Sequence, residues 1–196
     1  MAKSDSAAAK KERNKTRRWV ITIFFVTLLV SGSISFVSDI IMESSTIVVA
    51  FLILLVIVMI GIVFDVIGVA VTSADEKPFH AMAANKVVGA QESIRLLRNA
   101  ERVSSICNDV IGDICGVVSG SASATIAAEV LQNFDFSFPQ IVTLAMSAVV
   151  AALTVGGKAI GKTFAIGSCT TIVYTAGKVV WAVSHISDFL KIKRKK

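Results

Sequence analysis

Long runs without a charged side chain alternate with basic clusters along this chain, and that alternation restricts the fold more than any other feature. No charged residue occurs from Trp19 to Ser38 or from Ser44 to Phe64, and a third such run covers residues 136–157. A helix of about 20 apolar residues crosses a hydrocarbon core of about 30 Å, where backbone groups must bond within their own segment. The three runs therefore predict membrane-spanning helices.

The composition excludes several classes of protein. Charged residues make up 17% of the chain, against about 25% in soluble domains, and the mean hydropathy is +0.74. Three Cys and two His are too few and too scattered for a zinc-finger or disulfide framework. We find no nucleophile–base pair, phosphate loop or catalytic metal cluster, so no catalytic residues, resident cofactor or nucleic-acid partner are expected.

Basic residues set the expected topology. Seven lie in residues 1–18, five in residues 77–102 and five in the tail 191–196. Cytoplasmic loops carry an excess of Lys and Arg, and only four spans place all three clusters on the cytoplasmic side. A fourth and less hydrophobic run, which contains Asp109 and Asp113, is then also predicted to be a span. We expect a basic N-terminus 1–18, a transmembrane domain 19–190 and a basic tail 191–196, with spans at about 19–38, 45–72, 104–130 and 139–162.

The first span has an alternative interpretation. A basic start, the apolar WVITIFFVTLLV and the small residues Ser31–Ser33 could form a cleaved signal peptide. The apolar stretch continues through Val37 to spanning length, which favours a retained helix. The expectation is a multi-pass protein of the cell membrane, in contact with the lipid bilayer, with both termini cytoplasmic unless the first helix is removed.

Two shorter segments complete the fold class. Acids and Pro78 near a helix start, a break at Gly89 and the pattern of residues 90–103 predict two short amphipathic helices on the cytoplasmic face. Residues 163–190 read as an in-plane helix, because a fifth span would carry the basic tail outside. The predicted fold is an all-α, multi-span helical membrane protein with a cytoplasmic amphipathic helical hairpin and an in-plane C-terminal helix.

Acidic side chains inside the predicted spans are the candidate functional residues. A carboxylate at the bilayer centre costs about 2.5–3.5 kcal/mol on insertion scales, so each must find a partner, protonate or bind a cation. Carboxylate, amide and hydroxyl oxygens suit hard cations such as Mg²⁺. One hypothesis is a cation site, and the alternative is that two lysines one turn apart act as counter-charges. The proposed ligands are Asp65, Asn108, Asp109, Asp113 and Ser105, and the counter-charges are Lys158 and Lys162.

Glycines suggest where helices approach closely. Gly112, Gly116 and Gly120 recur every four residues, which predicts a flat helix-packing face. The glycines at positions 156, 157 and 161 allow either a broken helix or close packing.

Three stretches together resemble the transmembrane domain of the CorC/CorB-like cyclin M (CNNM) magnesium transporters. FDVIGVAVTS at 64–73 is similar to the family pattern F-S-x-S-E-T-A-L-T-S. AQESIRLLRNAERVSSICNDVIGD at 90–113 is similar to its A-x-x-L-L-x-x-x-E-R segment and G-N-N-L-V-N span. VGGKAIGK at 155–162 is similar to F-G-E-I-L-P-K-T. The resemblance covers about residues 61–187.

The resemblance implies a homodimer that exports Mg²⁺, with Co²⁺ as an alternative cargo and Na⁺ as the coupling ion. The chain also departs from the family pattern. The Glu of the first motif is replaced by Gly68, and the Glu of the third motif is replaced by Lys158. The chain ends in KIKRKK without the family's nucleotide-binding modules, so nucleotide regulation in cis is not expected. The leading hypothesis is a divalent-cation transporter or exporter. The alternative is a non-transporting membrane scaffold or partner subunit whose ion pocket is closed by Asp–Lys pairs.

Overall fold

A computed structural model describes the backbone of residues 2–43, 46–134 and 138–193, and the side chains of 17–38, 40–41, 46–134 and 138–185. Within these residues the chain is helical and contains no strand. The elements are α1 (Ala2–Glu43), α2 (Ile47–Ser73), α3 (Lys77–Ala84), α4 (Ala90–Arg98), α5 (Ala100–Ser105), a π segment (Ile106–Gly112), α6 (Asp113–Asn133), α7 (Pro139–Gly167) and α8 (Cys169–Lys193).

In the part of the chain that the structure describes, four stretches of helix are long and apolar enough to cross a membrane, as the sequence predicted. They are Arg17–Ser38, Ile47–Ser73, Ala100–Asn133 and Pro139–Gly167. The third joins α5, the π segment and α6 into one helical rod, so the run with two aspartates meets the same criteria as the other three. The all-α prediction and the prediction of four helices able to span are confirmed.

The outer surface of the bundle is apolar. Large hydrophobic side chains stand exposed along the helices, among them Leu29, Val48, Leu144 and Ile160. A soluble protein rarely leaves apolar patches of such extent in water. The exposed apolar faces and the span-length helices together indicate a membrane-embedded protein.

Helix α2 lies at the centre of the bundle. It packs against α6, α7, the π segment and α8, while α1 packs mainly against α6. Near the Ile47 end of α2, the buried core consists of Ala50, Leu54, Val58, Ala122, Ile126 and Val150. At the Ser73 end, which we call the hairpin end, a second core consists of Ala70, Val71, Phe79, Leu97, Ala165 and Val173.

Helices α3 and α4 occupy the segment where the sequence predicted a helical hairpin. Both lie beside the Ser73 end of α2. Pro78 occupies the first turn of α3, where its missing N–H costs nothing. Gly89 precedes α4 with φ of 84°, a left-handed conformation that glycine adopts readily. A side chain at Gly89 would also meet the Lys178 backbone, since a Cβ built there lies 2.9 Å from the Lys178 Cα.

A serine joins α4 to α8. The buried Ser93 Oγ lies within hydrogen-bond distance of two carbonyl oxygens, at 2.9 Å from Gly89 O and 3.2 Å from Val173 O. On the facing turn of α8, Gly177 lies so close to α4 that a built Cβ would collide with Ser93 Oγ. Glycine at this position therefore permits the close crossing of α4 and α8.

The structure resolves the alternatives left open for the glycines of α7. This helix runs without interruption from Pro139 to Gly167. A Cβ at Gly157 would collide with Ile62 Cδ1, and one at Gly161 would lie 2.7 Å from Val66 Cγ2. Gly157 and Gly161 therefore serve close packing of α7 on α2, whereas a Cβ at Gly156 would meet no atom within 4 Å. Helix α8 begins only after Ser168.

Candidate functional site around Asp65

Asp65 is a buried carboxylate on the central helix. Its residue is 4% exposed, and it lies 18 residues after Ile47 on α2, which is about 27 Å along a helix of about 40 Å. Lys158 lies 19 residues after Pro139 on α7, or about 29 Å along that helix. The two charges are therefore at similar depth, in the hairpin half of the bundle rather than at its middle.

Two ammonium groups from α7 approach this one carboxylate. Lys158 Nζ lies 3.9 Å from Asp65 Oδ1, and Lys162 Nζ lies 3.7 Å from Asp65 Oδ2. Their spacing of one helical turn directs both side chains to the same neighbour. The Lys158 side chain is 21% exposed and the Lys162 side chain 53%. One carboxylate between two ammoniums leaves the cluster with one net positive charge.

Glycine on the third helix makes room for the inner lysine. A Cβ at Gly112 would lie 3.3 Å from Lys158 Nζ and 4.0 Å from Asp65 Oδ1. Gly112 is the last residue of the π segment, so the backbone of this segment forms a third side of the cluster. A larger residue at this position would crowd the Asp65–Lys158 pair.

Asn108 approaches α2 beside the same cluster. A Cβ at Gly68 would collide with Asn108 Oδ1, so the amide packs directly on the α2 backbone, three residues beyond Asp65. Asn108 Nδ2 donates a hydrogen bond to Ser104 Oγ at 3.2 Å. Gly68 thus allows α2 and the π segment to approach closely at the level of the charges.

Two oxygens of this site keep unused acceptor capacity. Asp65 Oδ2 and Asn108 Oδ1 are buried and have no hydrogen-bond partner within the described part of the chain. Buried polar atoms without partners are rare in folded proteins and need a physical explanation. Both oxygens could accept from a water molecule or approach a cation, although the neighbouring ammoniums disfavour added positive charge.

The other proposed ligands lie away from Asp65. Asp109 and Asp113 are exposed, and Ser105 Oγ donates to Asp109 Oδ2 at 2.8 Å. Neither aspartate forms an ion pair with Lys158 or Lys162, whose ion pairs are with Asp65. Among the residues that the structure describes, no three His, Cys, Asp or Glu side chains form a group able to hold a metal.

Of the three glycines predicted to form a helix-packing face, one lies close to atoms of other helices and two do not. Gly112 touches the charge cluster, whereas a Cβ at Gly116 or Gly120 would meet no atom within 4 Å. Close approach of α6 to α2 instead involves Gly61, where a Cβ would lie 2.9 Å from Cys115 Cβ. Sequence reasoning missed Gly61 and Gly68, although their separation of seven residues on α2 is a helix-packing spacing.

The π segment was also not foreseen. It spans seven residues, Ile106–Gly112, and π turns inside α-helices occur frequently at functional sites. Nothing in the local sequence distinguishes it from an ordinary helical turn, so no sequence signal could have located it.

Comparison of the chain with protein-family models, with curated proteins and with solved structures gave no match. The resemblance to the cyclin M magnesium transporters therefore rests on the three sequence stretches alone.

Proposed function

We propose that this protein is a multi-pass membrane protein whose ion pocket is closed from within, and that it acts as a non-transporting scaffold or partner subunit. One observation carries this proposal: the buried carboxylate of Asp65 lies between the ammonium groups of Lys158 and Lys162. In a cation transporter a carboxylate in the ion pocket must be free to meet the ion. Here the protein supplies the counter-charge itself.

Electrostatics argues against a divalent cation at this position. The cluster already has one net positive charge, and a cation at Asp65 would have to displace both ammoniums. The Lys158 side chain is largely enclosed, so its movement would leave a charge in a poorly solvated place, at a cost of several kcal/mol. A closed pocket therefore agrees better with the charge arrangement than an occupied one.

The proposed orientation follows from the basic residues. The hairpin end carries Lys86, Arg95, Arg98 and Arg102, all of them exposed, while the described part of the opposite end has none. Because Lys and Arg accumulate on the cytoplasmic side, we place the hairpin end in the cytoplasm and the protein in the cell membrane. Both termini are then cytoplasmic.

A divalent-cation transporter remains the second candidate, and two buried oxygens that accept no hydrogen bond in the described part of the chain favour it. Asp65 Oδ2 and Asn108 Oδ1 are oxygen ligands of the kind that Mg²⁺ accepts, and they lie beside a π segment. In this alternative the lysines would swing aside when the ion enters, and the protein would work as the homodimer that the resemblance implies.

Ion flux separates the two functions. Purified protein is reconstituted into liposomes that contain a Mg²⁺ or Co²⁺ indicator, under Na⁺ and proton gradients. The closed pocket predicts flux no greater than that of empty liposomes. Flux that Asp65→Asn or Asp113→Asn abolishes, but that Asp75→Asn at an exposed position preserves, would contradict the scaffold and establish the transporter.

A further inference from the structure

One face of α8 combines aromatic and basic side chains in a way that the proposed function does not use. Tyr174, Lys178, Trp181 and His185 follow each other at spacings of four, three and four residues, so they lie on one side of the helix. We call this face the α8 stripe. Lys178 Nζ lies 4.7 Å from the centre of the Tyr174 ring, and the Trp181 and His185 rings are 4.2 Å apart.

The rotation of α8 is set by its buried side. Val173 is fully buried, and Gly177 fits against α4 through Ser93 and Gly89. Helical geometry places the residues of the α8 stripe about 40–140° around the axis from these two positions, on the flank of the buried side. On the α8 stripe, Lys178 and His185 are exposed, whereas Tyr174 and Trp181 are half-buried and Tyr174 packs against the core at the hairpin end. The stripe therefore lies at the edge of the bundle, and it cannot turn further inward without breaking the crossing with α4.

The depth of α8 corresponds to the headgroup region. Helix α7 has 29 residues, which gives about 43 Å, close to the thickness of a bilayer including its headgroups. Since α8 starts two residues after α7 ends, it begins where the polar region of the leaflet lies. Three valines on other faces of α8, Val179, Val180 and Val183, are 58%, 43% and 62% exposed and suit contact with acyl chains.

Charge then selects the kind of lipid. The described side chains of α8, residues 169–185, include Lys178 and no acidic residue. The acid on the neighbouring α4, Glu92, is 3.9 Å from Arg95 and so already has a basic partner. Tyr and Trp rings favour the membrane–water interface, and a basic side chain there attracts anionic headgroups.

We propose that the α8 stripe is a headgroup-binding surface selective for anionic phospholipids, with Lys178 contacting the phosphate and Tyr174 and Trp181 lying at the interface. This inference rests on membrane insertion and not on whether the Asp65 pocket is closed. A transporting and a non-transporting protein would both contain it.

The two tryptophans of the chain allow a direct test on the whole protein. In Trp19→Phe, Trp181 is the single tryptophan, and its fluorescence is measured in vesicles of phosphatidylcholine mixed with brominated phosphatidylglycerol or brominated phosphatidylcholine. We expect stronger quenching by lipids brominated near the headgroup than by lipids brominated deep in the chain. We also expect a preference for phosphatidylglycerol that Lys178→Gln lowers about five-fold, the factor for one basic side chain near an anionic surface.

Two controls keep the result specific. Lys86→Gln removes another exposed charge, at the hairpin, and should leave the preference of Trp181 unchanged. Trp181→Phe leaves Trp19 as the reporter, whose lipid preference should not respond to Lys178→Gln. The proposal is overturned if Trp181 is quenched best by deep bromines, if no lipid quenches it, or if Lys178→Gln leaves its preference for phosphatidylglycerol intact.

Discussion

Lys158 Nζ on α7 lies 3.9 Å from Asp65 Oδ1 on α2. Gly112 faces this pair and has no side chain that would separate the two charges. The pair joins the central helix to α7 at the same level at which Gly157 and Gly161 bring the two backbones together. Charge compensation and close packing thus occur in one place. Substitutions there should affect stability before they affect anything else.

The two lysines should contribute unequally to stability. Lys158→Met removes the more enclosed partner of a buried carboxylate but leaves Lys162 as its counter-charge, so we expect the free energy of unfolding to fall by about 1–3 kcal/mol. Lys162→Met removes a half-exposed partner and should cost under about 1 kcal/mol. Chemical denaturation in detergent micelles, followed by tryptophan fluorescence, measures both. Equal losses would show that Lys158 is not the principal counter-charge.

A side chain at position 68 should destabilise the protein, whereas a side chain at position 116 should be tolerated. A methyl group at Gly68 collides with Asn108 Oδ1, whereas one at Gly116 meets no atom within 4 Å. Gly68→Ala should destabilise the protein by about 1–3 kcal/mol through overpacking. Gly116→Ala should be neutral, or stabilising by up to about 1 kcal/mol because alanine favours helix. The matched pair is compared by thermal unfolding in micelles, and a similar melting shift in both variants would contradict the close approach at Gly68.

The crossing of α4 and α8 should depend on Gly177. Gly177→Ala places a methyl group against Ser93 and the Gly89 carbonyl, which should separate the two helices. We expect faster amide hydrogen exchange in α4 and α8 and unchanged exchange in α2. Gly167→Ala, where the added carbon meets nothing within 4 Å, is the control. Protection that stays the same in both variants would mean that the crossing does not hold α8 in place.

Topology can be tested with single cysteines in a background that lacks Cys107, Cys115 and Cys169. Gln140, exposed at the start of α7, is expected outside the cell, and Lys86 in the hairpin connection is expected inside. A membrane-impermeant maleimide added to intact cells should label Gln140→Cys at once and Lys86→Cys only after permeabilisation. The reverse pattern would invert the proposed orientation.

Asp113→Asn is not expected to lower the free energy of unfolding, because Asp113 is exposed on a helix able to span the membrane, where an ionised carboxylate is costly. Asp113 is exposed and lies outside the Asp65 cluster, whereas Asp65→Asn leaves two ammoniums without their carboxylate. The same denaturation assay compares the two substitutions. A large loss for Asp113→Asn would show that this carboxylate has a stabilising partner, such as a second copy of the chain.

The sequence by itself determined the helical class and, within the described residues, the number of helices able to span, and it predicted two short helices on either side of Gly89. These follow from local properties, since the length and hydropathy of a run decide whether it can cross a bilayer, and Pro78 and Gly89 act on the backbone where they stand. Asp65 was a candidate for the same reason, because a carboxylate in an apolar run needs compensation wherever the run is placed.

Only the tertiary structure decided which charges meet. The sequence placed three aspartates and two lysines in the spans, but it could not tell that both lysines approach Asp65 while Asp109 and Asp113 remain exposed. That choice depends on the rotation of each helix about its axis, which is set by where α2, α6 and α7 can approach closely. Gly61, Gly68, Gly157 and Gly161 fix those approaches, and their partners are far away in the chain, so no local pattern reveals them.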